Sequence, residues 1–240
     1  MALIHLMTTS KYLQMDVDIN IYKPNQINKK EPLYLMYLLH GFMGNYSNWT
    51  RYTRLEKYLE GKNVIVVMPS GYNSWYVNSL SHVPFDSYIN KELHKIVKET
   101  LNLNFKRENT FIAGLSMGGY GAMRSILTYP KLYSKGASLS GVLDVENRYE
   151  HLRNGFLGSK NVFPKTISKK QNLFSLLKQD MDIDLYVSCG DKDVLLSDSI
   201  NFKEELIKNN IKHHFEIAPG EHNWDFWDSQ IKKVIEYFGI

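Results

Sequence analysis

Leu13, Met15, Val17, Ile19 and Ile21 alternate with Gln14, Asp16, Asp18 and Asn20. A period of two predicts a half-exposed strand near a sheet edge. Residues 24–32 are polar and carry turn residues. Residues 33–39 then form an unbroken apolar run, as a strand covered on both faces would. Trp49, Tyr52, Leu55 and Leu59 recur at helical spacing and predict a helix over 48–60, ended by Gly61. A second buried strand is expected at 64–68, then a loop over 69–83 rich in Ser, Asn and aromatic residues. Ile89, Leu93, Ile96 and Val97 mark one face of a helix over 85–101.

The remaining pattern is strand 110–113, helix 117–128 stopped by Tyr129-Pro130, strand 136–139, strand 185–189, helix 199–208, strand 213–217 and helix 225–238. Residues 142–180 have no sustained period and read as a cap of short helices inserted into the alternation. Strands alternating with helices predict an α/β fold, a mostly parallel sheet with helices on both faces. One domain over 1–240, with the cap at about 142–180, accounts for the length.

Composition narrows the class. Of 240 residues, 43% are hydrophobic and 22% charged, close to the globular average, so a packed core is expected. The 29 basic and 25 acidic residues leave a net charge of +4. No basic run exceeds a pair such as Lys169-Lys170, so nucleic acid is not an expected partner. No window approaches 18 apolar residues, so no membrane span is expected. Residues 1–15 lack a basic start followed by a long apolar stretch, so a cytoplasmic location is expected. The single cysteine, Cys189, sits in the apolar run 185–189 and reads as a core residue.

Candidate chemistry centres on Gly114-Leu115-Ser116-Met117-Gly118, placed between a predicted strand and a predicted helix. In that setting Gly-x-Ser-x-Gly puts a serine on a sharp turn with its hydroxyl raised above the sheet. A side chain at Gly114 or Gly118 would collide with neighbouring backbone. The helix start aims free N–H groups at the reaction centre, so Met117 N–H is one expected oxyanion donor. The other is expected from the loop after strand 33–39, in Leu38-Leu39-His40-Gly41-Phe42-Met43-Gly44-Asn45, with Phe42 as the chosen donor. His40, at the strand end, is expected to pin that loop by hydrogen bonds.

A serine hydroxyl needs a base. His5, His82, His94, His151, His213 and His214 sit near a terminus, in a loop, in a helix, in the cap or in a strand. His222 lies alone in the loop between the last strand and last helix, and it is the last histidine. With chain order Ser, acid, His, the acid should come from Gly190-Asp191-Lys192-Asp193. Asp193 is preferred, because the residues just after Gly190 make the turn, and Asp191 is the alternative. A metal site from His213, His214, Glu221 and His222 matches no metal spacing, so no metal or other cofactor is expected.

Five blocks carry a family resemblance: Leu-Leu-His-Gly-Phe-Met-Gly-Asn (38–45), Met-Pro-Ser-Gly-Tyr-Asn-Ser-Trp-Tyr (68–76), Gly-Leu-Ser-Met-Gly-Gly-Tyr-Gly-Ala (114–122), Cys-Gly-Asp-Lys-Asp (189–193) and Gly-Glu-His-Asn-Trp (220–224). With them the chain resembles the esterase D-like branch of α/β hydrolases, and within it the bacterial tributyrin esterase family. The resemblance implies Ser116, His222 and Asp193 as the triad, oxyanion donors at Phe42 and Met117, and metal-free cleavage of short acyl esters. A homo-oligomer is a further implied possibility. Met43, Trp75, Tyr76 and Tyr120 flank the reactive loops and are expected to line the acyl pocket. Phe156, Leu157, Phe163 and Phe174 of the cap are expected to cover it. The leading expectation is a serine carboxylesterase acting on a small-molecule ester. S-formylglutathione hydrolase activity is the alternative, ahead of acyl transfer, peptidase activity or a non-catalytic binding role.

Overall fold

A computed structural model of the chain describes residues 1–79, 83–155, 160, 162, 163 and 167–240. Eight strands form one sheet: β1 (Ala2–Ser10), β2 (Met15–Lys23), β3 (Tyr34–Leu39), β4 (Val64–Pro69), β5 (Thr110–Leu115), β6 (Lys135–Leu139), β7 (Asp184–Gly190) and β8 (Lys212–Ala218). Their spatial order is β1-β2-β4-β3-β5-β6-β7-β8. The first two pairings in that order are antiparallel and the other five parallel. This is the mostly parallel sheet that the strand–helix alternation predicts and that the resemblance to α/β hydrolases implies.

Period-two alternation along the central strands builds two cores, one per face. On one face Leu35, Tyr37, Ile65, Val67 and Ile112 meet Leu93 and Val97 of α4 (Leu93–Leu101), Met123 and Ile126 of α5 (Met117–Thr128), and Phe202 and Leu206 of α8 (Leu196–Lys208). On the other, Met36, Leu38, Val66, Phe111 and Ala113 meet Ile231, Val234, Ile235 and Phe238 of α9 (Trp224–Phe238). Burial on both faces explains why β3, β4 and β5 read as unbroken apolar runs.

Three features depart from the sequence pattern. The sheet begins one strand earlier than expected, because β1 pairs with β2 along all nine of its residues. Leu3 and Met7 of β1 are exposed, so no wet polar face marks it. The helix expected over 48–60 is two short pieces, α1 (Asn48–Tyr52) and α2 (Leu55–Tyr58). Thr53 Oγ1 donates to the Trp49 carbonyl, and the Arg54 N–H donates to Asp228 Oδ1 at 2.7 Å instead of to a helical carbonyl. The helix expected over 85–101 starts as α3 (Phe85–Ser87), widens to a π turn over Tyr88–Glu92 and continues as α4.

Between β6 and β7 run the short helices α6 (Tyr149–Gly155) and α7 (Leu173–Leu176). This segment is fastened to the sheet domain by a buried ionic cluster. Arg124 Nη1 lies 2.6 Å from Asp86 Oδ1, and both side chains are 8% exposed. Tyr129 Oη donates to Asp86 Oδ2 at 2.7 Å, and Arg124 Nε donates to the Lys170 carbonyl at 2.9 Å. Tyr120 Oη adds a bond to the Gln171 carbonyl at 2.8 Å. Among the described residues, no helix is long and apolar enough to cross a membrane.

Removing one partner of a buried ion pair leaves an uncompensated charge. Asp86→Ala should therefore lower unfolding free energy by about 3 kcal/mol, read from urea denaturation. Adding Arg124→Met to it should recover part of that loss, and a double variant less stable than the single would contradict this account.

Candidate active site

The parallel strands all end on one rim of the sheet, and the candidate residues emerge there. Ser116 follows β5, His40 and Gly41 follow β3, Asp193 follows β7 and His222 follows β8. Ser116 has φ 51° and ψ −119°, outside the usual regions for a residue with a side chain. Such a conformation costs on the order of 1–3 kcal/mol and persists only where surroundings enforce it. Here they do. A Cβ on Gly114 would lie 2.3 Å from the Gly118 carbonyl oxygen, and one on Gly118 would lie 2.5 Å from the Leu39 oxygen. Strand, turn and helix touch backbone to backbone, as the Gly-x-Ser-x-Gly spacing predicts.

Three side chains distant in sequence meet at this turn. His222 Nε2 is 3.0 Å from Ser116 Oγ. His222 Nδ1 is 2.9 Å from Asp193 Oδ2 and 3.1 Å from Oδ1. The edge of the imidazole also packs against Trp227, with ring centroids 5.0 Å apart. Burial alone would raise the Asp193 carboxyl. Its hydrogen bond and charge interaction with His222, helped by the Leu195 N–H, outweigh burial and hold it below the usual carboxylate range. An imidazole held this way, with its Nδ1–H donating to the carboxylate, presents a lone pair on Nε2 to the serine hydroxyl.

Asp191 does something else. Its Oδ1 accepts from the Gly220 N–H at 2.9 Å, while the Lys192 N–H donates to the Gly220 carbonyl at 3.0 Å. A Cβ at Gly190 would sit 2.3 Å from that same carbonyl oxygen. Asp191 and Gly190 thus clasp the loop that carries His222 against the loop that carries Asp193.

Met117 is the first residue of α5, so its N–H has no intrahelical acceptor. The loop bearing Phe42 passes directly over the serine: a Cβ at Gly41 would lie 3.5 Å from Ser116 Cβ. His40 is buried and anchors this loop. It takes the Gly71 N–H on Nε2 at 2.8 Å, so its proton sits on Nδ1 and bonds the Gly41 carbonyl at 2.7 Å. Burial lowers its pKa to about 4, so it is neutral at physiological pH.

Four other histidines have partners elsewhere. His5 pairs with Asp18, His94 with Tyr37, and His213 with the Ile211 carbonyl; His214 stacks on Tyr186. Among the described residues no group of three or more His, Cys, Asp or Glu could hold a metal ion, so the His213, His214, Glu221 and His222 set is not brought together. Burial pushes the Cys189 thiol up to about 12, which suits a core position.

Ser116 and His222 open into a cavity of about 620 Å³. Of the four expected pocket residues, Met43 and Trp75 line it. Tyr76 and Tyr120 do not, and both are fully buried behind the wall. Tyr76 spends its hydroxyl on the His40 carbonyl at 2.9 Å and packs its ring against Gly71 and Gly121. Tyr120 is tied to the cap through Gln171. Phe163 packs on Trp75 and Phe174 on Phe202, while Phe156, Leu157 and His82 lie outside the described residues. The sequence pattern missed Tyr52, Arg148, His151, Val194, Trp224 and Trp227, which also line the cavity.

Comparison with known proteins shows the family to which the chain belongs. The family model described as "Putative esterase" matches residues 10–237. An acetyl esterase of Caldicellulosiruptor saccharolyticus is 30% identical, with 99% of this chain and 98% of that protein covered. The substrate-bound structure of FphF, a fluorophosphonate-binding serine hydrolase of Staphylococcus aureus, is similar with a TM-score of 0.88 at 28% identity, covering 99% of this chain and 98% of that one. So is an S-formylglutathione hydrolase (FrmB) of Staphylococcus aureus, with a TM-score of 0.85, 28% identity and the same coverage.

His40 supplies a pH test of this site. Its folded pKa is depressed, so the unfolded chain binds more protons between pH 6.5 and about 4. Stability is therefore unaffected above pH 6.5 and falls as pH drops through that window. The loss from His40 alone should reach about 2 kcal/mol at pH 5. Urea midpoints at pH 7.5 and 5 should converge less in wild type than in His40→Asn, and equal pH sensitivity in the two would refute the assignment.

Proposed function

We propose, from the premise that this chain belongs to the esterase family and is a serine carboxylic ester hydrolase, that it cleaves short-chain acyl esters with Ser116, His222 and Asp193 as its triad. The observation that carries the reading is the unbroken relay from Asp193 through His222 to Ser116, at 2.9 and 3.0 Å, on a strained turn at the floor of a cavity.

Ser116 Oγ attacks the ester carbonyl as His222 Nε2 takes its proton. The developing oxyanion is held by the N–H groups of Phe42 and Met117, which sit on backbone fixed by the neighbouring glycines and so need little reorganisation. His222 then hands the proton to the departing alkoxide, leaving an acyl group on Ser116. A water deprotonated by His222 attacks that acyl-enzyme, and Ser116 leaves with the proton. Asp193 holds the imidazole in one tautomer and stabilises its charged form. Residues 142–180 act as the cap of a single α/β-hydrolase domain, with Arg148, His151 and Leu152 forming part of the cavity wall. The preference for short acyl chains, roughly two to eight carbons, and the placement near tributyrin esterases rest on the motif blocks.

The likeness to the S-formylglutathione hydrolase favours a second reading, thioester cleavage by the same residues. Turnover of S-formylglutathione well above that of aryl acetates would select it.

Ser116→Ala should lower kcat by on the order of 10³–10⁶ and abolish fluorophosphonate labelling. Asp193→Asn should cost about 10⁴ in kcat, whereas Asp191→Asn should act mainly on stability. Equal kinetic losses in the two aspartate variants would remove Asp193 from its role. A p-nitrophenyl ester series peaking at long chains would remove the short-chain preference.

A further inference from the structure

The cavity wall is charged in one sense. Arg148 lines it, and among the described residues no Asp or Glu does. The Arg148 guanidinium is held in place from behind. Its Nε donates to Asp198 Oδ1 at 2.8 Å, and Nη2 donates to the Val194 carbonyl and to Ser197 Oγ. The Asp198 side chain is fully buried, whereas that of Arg148 is 24% exposed. Nη1 has no acceptor among the described residues. Three of the five guanidinium N–H groups are therefore used in fixing the group, and the two on Nη1 are left over in a side chain that lines the cavity. His151, three residues further along the same segment, lines the same wall.

A cation fixed by a buried carboxylate has already given up its side-chain freedom, so a ligand that bonds it need not freeze it. Its remaining nitrogen, Nη1, can give a carboxylate a charge-assisted hydrogen bond. The surrounding wall of Phe42, Trp75, Leu152 and Trp227 is apolar and would accept the carbon chain that carries the charge.

We propose that the substrate of this site is an ester bearing a carboxylate, and that Arg148 is the specificity-determining residue that binds it. This rests on the esterase reading above and adds the substrate class. The carboxylate can sit on the acyl side, as in a dicarboxylic monoester, or on the alcohol side. Both use the same chemistry at Arg148.

Two pairs of probes separate the sources. On the acyl side, p-nitrophenyl adipate with a free carboxylate is compared with its methyl ester. On the alcohol side, 4-acetoxybenzoate is compared with methyl 4-acetoxybenzoate. Each kcat/KM ratio is divided by the ratio of the hydroxide-catalysed rates. In wild type the corrected ratio should favour the carboxylate by about tenfold in at least one pair, as expected of a charged hydrogen bond. The preference should shrink in high salt and largely vanish in Arg148→Gln.

Because Arg148→Gln strands the buried Asp198 and can destabilise the fold, Val194→Glu provides a second variant. Val194 is 73% exposed and its carbonyl bonds Arg148, so a glutamate there competes for the guanidinium and should lower the same ratio. A corrected ratio of one or less in both pairs overturns the proposal, as does a preference that neither variant changes. Turnover of the methyl esters in that case leaves the esterase reading intact. No turnover of any of the four probes sinks both.

Discussion

Ser116 keeps its left-handed backbone because the chain on either side comes closer than any side chain would permit. Gly118 rests on the carbonyls that end β3, and Gly114 rests on Gly118 itself. That contact ties three elements, β3, β5 and α5, into one rigid corner. The Ser116 N–H is bonded to the Leu139 carbonyl at 2.9 Å, which adds β6. The hydroxyl and the start of α5 are positioned by this backbone packing, and the loop carrying Phe42 is held in addition by the His40 side chain. A methyl group at Gly114 or Gly118 would have to be accommodated by moving backbone, which the close-packed sheet resists.

The second half of the site is built the same way from the other side. Gly190 lets the turn after β7 approach the Gly220 carbonyl, and Asp191 bonds the Gly220 N–H. With those two loops clasped, Asp193 and His222 are within hydrogen-bond distance although 29 residues separate them. The adjacent carboxylates of Asp191 and Asp193 thus divide into one that shapes backbone and one that faces the imidazole.

Much of this was legible because close backbone approach demands glycine, and glycine leaves a mark in sequence. The blocks at 114–118, 189–193 and 220–224 each set a glycine close to a candidate catalytic side chain, and the structure brings Ser116, Asp193 and His222 within hydrogen-bond distance. The central strands were legible because burial on both faces forces apolar runs. What was hidden lacked such a mark. β1 sits at the edge with Leu3 and Met7 in solvent, so its pattern says nothing about a face. The break at Thr53 depends on Asp228, far away in the chain. Tyr120 stands close after Ser116 in sequence and Tyr76 follows Trp75, which lines the cavity, yet each points behind the wall, where its hydroxyl finds a backbone carbonyl. Arg148 lies in the stretch without a period, and only the fold shows that it reaches the segment after Asp193.

The two charged supports of the cavity have a common plan. Asp193 and Asp198 lie five residues apart after β7, and neither side chain has any solvent exposure. Each sits behind a nitrogen-bearing group that faces the cavity, His222 and Arg148 respectively. The balance differs between them. At Asp193 the interactions with His222 overcome burial and the carboxyl is lowered, whereas at Asp198 burial outweighs Arg148 and the carboxyl is raised. Negative charge is thereby kept behind the wall and hydrogen-bond donors in front of it. In a space partly walled by Trp75, Trp224 and Trp227, that polarity favours a species that gains negative charge at Ser116 over one that gains positive charge. The carboxylate behind the His222 imidazole and the carboxylate behind the Arg148 guanidinium thus come from a single turn and the helix that follows it.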